Sequence, residues 1–232
     1  MAFDVSIIIP TYNEKENVAI ILPEIFRVMK ANGIKGEVII VDDNSPDGTA
    51  NVVEEIKKSY DIKLLRRPGK LGLSSAVLDG IKQAEGWIIG VMDADLSHPP
   101  DVIPDMIKPI MEKRSDITVG SRYVKDGGVE NWPLKRKIIS NGAKLLARPM
   151  IGLKDPLSGF FFFRRSIIDN RQLSPKGYKI GLEIFIKSGT EKIAEIPYKF
   201  YDRKYGRSKL DWKQNVEYLL HLSKLYWYWI IK

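Results

Sequence analysis

Short apolar runs alternate with helical patterns along the first 120 residues of the chain. The helical patterns predict helices at about 16–32, 48–59, 73–84 and 101–113. Strands joined by helices in this order form a mostly parallel sheet with helices on its faces, so we expect an α/β fold. The apolar runs predict five buried strands, which are Val5–Ile9, Glu37–Val41, Ile62–Leu65, Trp87–Met92 and Ile117–Val119.

The alternation fades after residue 120, where the chain becomes rich in Gly, Pro and charged residues. A further helix is predicted at about 134–147 and a long final helix from about 211, with the run Phe160–Phe163 between them. The sequence has no internal repeat, and no second core is predicted. We therefore expect the second half to be an elaboration packed on the first.

Three polar loops follow strands of the predicted sheet. Pro10–Glu14 follows the first strand, Asp42–Gly48 follows the second, and Asp93–Ser97 follows the fourth. Ligands of open α/β sheets bind beyond the carboxyl ends of the strands, so these loops are expected to line one crevice.

The sharpest local pattern is the pair Asp93 and Asp95, which comes directly after a buried strand. Hard divalent cations prefer oxygen ligands, and Mg²⁺ is usually held by one or two carboxylates together with substrate phosphate oxygens. The pair therefore predicts a divalent-cation site. An Asp-rich turn that caps the next helix is the alternative explanation.

The second acidic loop allows several interpretations. The adjacent carboxylates Asp42–Asp43 are suited to a ribose hydroxyl or a base donor as well as to a metal. Capping of the next helix by Asp47 or Ser45 would explain the same segment without a ligand. Glu14 lies three residues after Thr11, a spacing that equally fits a capping box at the start of the first helix.

Composition excludes several kinds of catalytic site. The 232 residues include no cysteine, which excludes disulfides, thiol catalysis and Cys-bound zinc or iron–sulfur clusters. His98 and His221 are the only histidines, which argues against a multi-histidine zinc site and a Ser-His-Asp triad. The 37 Lys and Arg residues outnumber the 29 Asp and Glu residues, and the net charge of +8 favours an anionic partner.

Glycine patterns exclude two large nucleotide-binding classes. The chain contains neither G-x-G-x-x-G nor G-x-x-x-x-G-K-[ST], so Rossmann dehydrogenases and P-loop NTPases are excluded. The segment Gly69–Gly72, with Arg66, Arg67 and Lys70, instead forms a basic loop after the third strand. Surface solubility explains this loop as well as anion binding does.

Three other basic segments are candidate phosphate ligands, because guanidinium groups match phosphate oxygens. Arg122 follows the fifth strand, and the cluster Lys135–Lys137 precedes an apolar helix. Tyr201–Lys209 combines four cations, two tyrosines and a Gly, which is typical of a mobile loop that closes on phosphate. A solvated surface is the alternative for each of them.

The final helix is amphipathic, and its end is rich in Trp and Tyr with Lys213, Lys224 and Lys232 along it. A core helix would show the same spacing, but aromatic rings and cations together favour a membrane interface. No run reaches the 18 or more apolar residues of a membrane span, and the N-terminus does not resemble a signal peptide. We therefore expect a protein that stays on the cytoplasmic side of a membrane.

Several motifs together resemble the dolichol-phosphate mannosyltransferases, inverting glycosyltransferases of family 2 with a GT-A fold. The resemblance covers about Val5 to Leu222, and its DDNSPDGT and DADLSHPP blocks are specific to polyprenyl-phosphate glycosyltransferases. It implies a catalytic domain over 1–210, with a donor half at about 1–120 and an acceptor half at about 121–210, followed by an interface helix at 211–232. The motifs are IIIPTYNE (7–14), IIVDDNSPDGT (39–49), the Gly-rich loop 69–72, MDADLSHPP (92–100), GSRY (120–123), LKRKIISNGAKLL (134–146), DPLSGFFFFRR (155–165) and YDRKYGRSKL (201–210).

The resemblance implies transfer of mannose from GDP-mannose to dolichyl phosphate, with Mg²⁺ or Mn²⁺. Asp93 and Asp95 would hold the metal, with Ser97 where some relatives carry an amide. Arg136 and Ser140 would bind the acceptor phosphate, and the catalytic residues would be Asp95, Arg122 and Arg136. The residues implied to bind the donor are Pro10, Tyr12, Glu14, Val41, Asp43, Asp93, Ala94, Asp95, Arg122, Arg203 and Lys209.

This chemistry agrees with the scarcity of histidine. A phosphomonoester with a second pKa of about 6 is largely dianionic near pH 7, so its attacking oxygen needs no general base. Direct displacement at the anomeric carbon would invert it and give a β-linked product. Positioning and charge stabilisation of the leaving GDP would then supply the catalysis.

Two rival functions make different predictions. A polyprenyl-phosphate glucosyltransferase that uses UDP-glucose would share most of these motifs. A basic module that binds RNA or acidic membranes would use the net charge without chemistry, but acidic loops repel phosphate unless a metal intervenes. We therefore expect no nucleic-acid partner, and we expect that a membrane-anchoring region or subunit outside this chain contributes to attachment.

Overall fold

The structure is a computed structural model that describes residues 2–129, 134–174, 179–201 and 212–231, without the side chains of 134–141 and 212–216. The predicted helices of the first half form where the sequence places them, with ends shifted by a few residues. The helices are α1 (Lys15–Ala31), α2 (Thr49–Ile56), α3 (Leu73–Gln83), α4 (Ile103–Met111), α5 (Leu134–Ile151), α6 (Ile180–Ser188) and α7 (Trp212–Ile231).

The strands in the described part of the chain form one seven-stranded sheet and a small two-stranded one. The large sheet has the order β3-β2-β1-β4-β7-β5-β8, and β7 is antiparallel to both of its neighbours while the other pairs are parallel. The strands are β1 (Phe3–Thr11), β2 (Gly36–Asp42), β3 (Ile62–Arg66), β4 (Gly86–Val91), β5 (Ile117–Ser121), β6 (Gly128–Val129), β7 (Phe161–Arg164), β8 (Ile193–Pro197) and β9 (Lys199–Phe200).

Alternate residues of the central strands supply the two cores of the sheet. In β1, Ile7 and Ile9 join the core beneath α1 and α4, whereas Ile8 joins the core beneath α3 and α6. Successive side chains of a strand point to opposite faces, so a strand that is apolar throughout must be covered on both. The continuous apolar runs of the sequence therefore correspond to strands buried between two layers of helices.

The run Phe160–Phe163 forms most of a strand that the sequence analysis did not assign. Phe160 and Phe162 enter one core, and Phe161 and Phe163 enter the other. Because both faces are apolar, the run lacks the alternation that marks a half-buried strand. The sequence patterns also did not predict α6, β6, β8 and β9.

A third apolar cluster lies between α5, α6 and α7, although the sequence analysis predicted no second core. The Tyr218 hydroxyl donates to the carbonyl of Ala143 at 2.8 Å, and His221 Nε2 lies 3.0 Å from Glu183 Oε2. The final helix is therefore packed on α5 and α6 through one face. Within the described residues, no helix is long and apolar enough to cross a membrane.

Candidate donor and metal site

The polar loops predicted to line one crevice lie at the same edge of the sheet. The parallel strands β1, β2, β4 and β5 end there, and the antiparallel strand β7 begins there. The segment before β7, Asp155–Phe160, is therefore brought beside Asp93 and Arg122. The reversal of one strand thus adds a segment that the rule for parallel sheets does not place at the crevice.

The loop after β4 presents two carboxylates with different surroundings. Asp95 is buried, and its Oδ1 accepts hydrogen bonds from the Ser97 hydroxyl at 2.5 Å and the Ser97 amide at 3.2 Å. The Asp93 side chain is 42% exposed, so it faces the crevice. Leu96, which lies between Asp95 and Ser97, has a φ of 64°, a left-handed conformation that few non-Gly residues adopt. The loop is therefore a constrained turn around Asp95.

The buried side chain of His98 holds this turn in place. Its Nδ1 accepts a hydrogen bond from the Asp93 amide at 3.0 Å, and its ring stacks on Phe160 with centroids 5.0 Å apart. Burial lowers the pKa of His98 to about 4, with smaller and opposing effects of nearby charges. The ring is therefore neutral at pH 7, with its proton on Nε2, because Nδ1 is the acceptor. His98 orients the acidic loop and does not act as an acid or base.

The donor atoms of this loop fit a hard divalent cation. Asp93, Asp95 and Ser97 supply oxygen atoms only, as Mg²⁺ and Mn²⁺ prefer. No group of three or more His, Asp or Glu side chains within the described ranges is arranged to hold a metal by itself. The set suits a cation that takes its remaining ligands from a substrate diphosphate.

Arg122 faces this loop and is held by a buried carboxylate. Its Nε and Nη2 donate to Asp155 Oδ2 and Oδ1 at 2.8 and 2.9 Å, and its amide donates to Oδ2 at 3.1 Å. Burial works to lower the pKa of Arg122, but the hydrogen bonds and charge of Asp155 outweigh it and raise that pKa. The guanidinium is therefore a fixed positive charge in a rigid orientation.

The structure adds two lysines that the sequence analysis did not single out. Lys179 Nζ donates to the carbonyl of Leu157 at 3.0 Å, and burial together with the charge of Arg122 lowers the pKa of Lys179 to about 8. Lys144 lies over the ring of Tyr123, and burial lowers its pKa also. Both lysines lie near Arg122, so three cations meet at this end of the crevice. Their separation along the chain gave no sequence pattern by which to find them.

The predicted guanosine-binding residues lie at the ends of β1 and β2. Pro10 pairs with Val41 in the sheet, and the Asp43 amide donates to the carbonyl of Thr11 at 2.9 Å. Tyr12 is half-buried beneath Lys70, whose Nζ lies 4.4 Å from the ring centroid. This side of the crevice therefore has an aromatic ring and a carboxylate close to one another.

The alternatives for the second acidic loop separate clearly. Asp42 Oδ1 accepts from the hydroxyls of Thr11 and Ser45, so this carboxylate ties two loops together. Asp47 accepts from the amides of Thr49 and Lys15 at the starts of two helices. These two carboxylates have structural roles, which leaves Asp43 as the ligand candidate of this loop.

The capping box considered for Glu14 does not form. Glu14 is itself the residue that precedes α1, and no side-chain hydrogen bond caps the helix there. Its carboxylate accepts from Asn17 Nδ2 at 2.7 Å, and its amide donates to Thr49 Oγ1 at 3.0 Å. The spacing from Thr11 matches a capping box. However, α1 begins at Lys15, so Glu14 and not Thr11 occupies the N-cap position.

The side chains of four predicted site residues lie outside the described part of the chain. Arg136 and Ser140 belong to α5, four residues apart and therefore on one side of the helix, but their side chains are not described. Arg203 and Lys209 fall outside the described residues. Ala94 lies in the acidic loop between its two carboxylates and is buried.

Comparisons with known proteins show the family of this chain. The family model described as glycosyl transferase family 2 matches residues 6–171. A dolichol-phosphate mannosyltransferase of Pyrococcus furiosus is 47% identical over 225 residues, 95% of this chain, and the chain spans 63% of that relative's length. A dolichol-phosphate mannosyltransferase of Saccharomyces cerevisiae is 36% identical, with 97% of this chain and 88% of the relative covered.

Solved structures share the fold at low sequence identity. A glucosyl-3-phosphoglycerate synthase of Mycobacterium tuberculosis superposes with a TM-score of 0.72 at 20% identity, over 96% of this chain and 79% of its own. Another structure of that synthase contains Mn²⁺ and UDP. A mannosyl-3-phosphoglycerate synthase of Rubrobacter xylanophilus gives a TM-score of 0.71 at 20% identity, over 96% of this chain and 73% of its own.

These findings confirm two predictions of the sequence analysis. The mostly parallel sheet with flanking helices is the expected GT-A-like fold. The matched family model and the named relatives cover the motifs on which the resemblance was based. The chain belongs to glycosyl transferase family 2 and, within it, to the dolichol-phosphate mannosyltransferases.

Proposed function

We propose that this protein transfers mannose from GDP-mannose to the phosphate of a dolichyl or related polyprenyl lipid, with inversion at the anomeric carbon. The observation that carries the proposal is the meeting of two features at one edge of the sheet. Asp93 lies beside Gly159, and Asp155 of the same segment holds Arg122 in place. Membership of the dolichol-phosphate mannosyltransferases supplies the substrate class.

On the donor side, Asp93 and Asp95 would hold Mg²⁺ or Mn²⁺ against the diphosphate. The bound cation would neutralise the negative charge that develops on the leaving GDP. Ser97 donates its hydroxyl hydrogen to Asp95, which keeps that carboxylate directed into the loop. Arg122 would add a second positive charge that is already oriented before the donor binds.

On the acceptor side, the reacting group is a phosphate oxygen. It is already negatively charged near pH 7, so the residues of this chain have to align it and need not deprotonate it. Arg136 and Ser140 lie on one side of α5 and would bind this phosphate. Lys144 follows on the same helix one turn later and lies close to Arg122. Attack from this side, opposite the leaving diphosphate, inverts the configuration.

Calorimetric titration of the full chain tests the donor first. We expect GDP-mannose and GDP to bind in the presence of Mn²⁺ and to bind far more weakly in its absence. Preference for UDP-glucose would favour the rival glucosyltransferase. Absence of nucleotide binding would contradict a transferase of either kind.

Turnover with a dolichyl phosphate then tests the metal site. D95A is expected to abolish metal-dependent mannose transfer, because it removes a buried carboxylate from the acidic loop. D105N is the matched control, since Asp105 is an exposed residue of α4 outside the crevice. A D95A variant that is folded and substantially active would overturn the assigned metal role.

We also propose that the enzyme works on the cytoplasmic face of a membrane, where its lipid acceptor lies. Exposed apolar residues concentrate on α5 and α7, the helices beside the acceptor side. Soluble proteins seldom expose a large continuous apolar patch without a partner. The residues are Leu145, Leu146, Leu219, Leu220, Trp227, Trp229, Ile230 and Ile231.

A further inference from the structure

Arg67 is a buried cation, although the sequence analysis placed it in a basic surface loop. It comes directly after β3, and its side chain is only 3% exposed. Its neighbour Arg66 is 52% exposed and lies 3.6 Å from Glu54. A guanidinium is buried at this depth only when its donors are satisfied, so the partners of Arg67 indicate its role.

The guanidinium of Arg67 connects three segments around the nucleotide side of the crevice. Its Nε donates to Asp43 Oδ1 at 2.6 Å, and Nη2 pairs with the same carboxylate. Nη2 also donates to the carbonyl of Gly72 at 2.8 Å, and Nη1 donates to Ser75 Oγ at 2.6 Å. The end of β2, the loop after β3 and the first turn of α3 are thereby joined through one side chain.

The loop after β3 is fixed to the same carboxylate from its other end. The Gly72 amide donates to Asp43 Oδ2 at 3.0 Å, with Gly72 at a φ of +96°. A left-handed φ favours glycine, which explains the residue at this position. Lys70, within the same loop, lies over Tyr12. The loop therefore contacts Tyr12 through Lys70, and Arg67 helps to set its position.

These contacts occupy some, but not all, of the hydrogen-bond acceptor positions of the Asp43 carboxylate. A carboxylate has about four acceptor positions, two on each oxygen. Among the described residues, Arg67 contacts Oδ1 twice, and the Gly72 amide contacts Oδ2 once. Oδ2 is therefore the oxygen that can still accept a hydrogen from a ligand.

We infer that Arg67 is a positioning residue for nucleotide recognition: it holds Asp43 so that Oδ2 accepts an N–H hydrogen from the base of the donor. The inference rests on the proposed function, because it needs a nucleoside diphosphate donor. Purine and pyrimidine bases that carry a ring N–H, such as guanine and uracil, supply such a donor, whereas adenine presents a ring acceptor there. Arg67 itself need not touch the nucleotide.

The test compares R67Q with R66Q, a matched control that removes an exposed arginine one residue away. GDP, UDP and inorganic pyrophosphate are titrated into each full-length protein with Mg²⁺, and initial rates are measured with the preferred sugar donor. We expect R67Q to weaken binding of the preferred nucleotide roughly tenfold. This is the effect of losing one charged hydrogen bond, here the bond between Asp43 Oδ2 and the base. Pyrophosphate affinity should not change, and KM for the donor should rise while kcat stays near the wild-type value.

A role in folding alone would give a different pattern. The inference would be overturned if a folded R67Q lost less than about threefold in affinity for the nucleotide. It would also be overturned if R67Q lost affinity for pyrophosphate to the same extent. A loss of nucleotide affinity above this limit, with pyrophosphate affinity unchanged, supports the inference. If R67Q does not fold, R67K is measured with the same limits, because lysine keeps the charge without the planar fork.

Failure of the proposed function is recognised separately in the wild-type titrations. If the wild type prefers UDP, the assignment of GDP-mannose fails, and Arg67 is then tested with UDP. If the wild type binds no nucleotide, the proposed function and the inference are both overturned. R66Q should match the wild type in every titration, and a loss in R66Q equal to that in R67Q would count against the inference.

Discussion

Asp155 shows how one buried side chain determines the chemistry of another. It is fully buried and receives three hydrogen bonds from Arg122. Its own amide and that of Lys154 donate to the Glu195 carboxylate at 2.9 Å each. Hydrogen bonds thus hold Asp155 on two sides, and Asp155 in turn holds the Arg122 guanidinium in one orientation.

We expect D155N to lower kcat roughly 10–100-fold, because an amide cannot accept both guanidinium hydrogens and Arg122 would lose its orientation. Removal of one partner from a buried ion pair should also lower the free energy of unfolding by about 3 kcal/mol. Steady-state kinetics and urea unfolding measure the two effects. D169N, which changes an exposed carboxylate, is the control and should match the wild type. A D155N variant with wild-type kcat would contradict this role.

Individual residues were predictable from sequence only where position along a strand determined their place. Asp93 and Asp95 follow a buried strand, so the edge of the sheet on which they lie could be predicted. The partners of Arg122, Asp43 and His98 could not, because each pairing joins segments that only the folded chain brings together. The roles of Asp42 and Asp47 were likewise undecided until their hydrogen bonds were known.

At the level of secondary structure, the strand β7 depends on a glycine in its neighbour. Gly90 of β4 is paired with Phe162, and a Cβ at position 90 would overlap the Phe162 ring. The side chain of a larger residue at this point would force the antiparallel strand away from β4. The glycine is therefore required by close packing and not by backbone conformation.

We expect G90A to reduce the free energy of unfolding by about 1–3 kcal/mol, as overpacked core substitutions do. G142A is its counterpart in α5, where a Cβ would meet no atom within 4 Å. Alanine in an exposed helix position should raise the free energy of unfolding by about 0.5–1 kcal/mol. Urea titrations of both variants measure the difference. A stable G90A would indicate that β7 moves without cost.

The elements that the sequence predicted are those with local patterns. The alternation of strands and helices up to residue 121 follows from apolar runs and their spacing. The later elements do not follow this alternation, because β7 is buried on both faces and α6 is apolar on nearly every side. Their order in the sheet depends on one chain reversal, which no local pattern determines.

The contact between α6 and α7 depends on a buried carboxylate. Glu183 is 1% exposed and accepts hydrogen bonds from Lys187 at 2.6 Å and the Ser174 amide at 2.9 Å, with His221 at 3.0 Å. Burial works to raise the pKa of Glu183, but the hydrogen bonds from His221, Lys187 and Ser174 outweigh it and lower that pKa. The ionised carboxylate therefore stabilises the contact.

E183Q should lower the free energy of unfolding by about 3 kcal/mol at pH 7. The folded pKa of Glu183 lies below its ordinary value of about 4.3, so its contribution is complete above that pH and is lost as the pH falls through the folded pKa. The acid-induced loss of stability between pH 5 and 3 should therefore be smaller in E183Q. Urea unfolding across this range measures it, with E191Q, an exposed change, as control. Equal acid dependence in E183Q and wild type would refute the assignment.

For the whole molecule, polar and apolar surfaces are distributed unequally around the crevice. The side proposed to bind the nucleotide is built from loops in which carboxylates pair with hydroxyl groups and with a buried guanidinium. The proposed acceptor side has Lys144 and Lys179 near Arg122 and, beside them, the exposed apolar residues of α5 and α7. This separation of a polar surface from an apolar surface suits the proposed function, in which one substrate is a polar nucleotide-sugar and the other is a lipid.

The membrane proposal predicts that these apolar residues bind lipid. Leu220 and Trp227 of α7 are 61% and 68% exposed, and burying them in a bilayer interface would favour binding. The full chain should cosediment with vesicles of phosphatidylcholine and phosphatidylglycerol, and salt should weaken the binding because the chain carries a net charge of +8. L220S/W227S should bind roughly tenfold more weakly.

The control for this experiment removes apolar surface from another part of the molecule. Ile20 and Met111 are each 43% exposed and belong to α1 and α4, which cover the core distant from α7. I20S/M111S should therefore bind vesicles as the wild type does. Equal binding by L220S/W227S and wild type would place the membrane contact elsewhere, and equal losses in both double variants would indicate nonspecific adsorption. A selective loss in L220S/W227S would place the acceptor side against the bilayer, where a lipid phosphate can reach Arg122 without leaving the membrane surface.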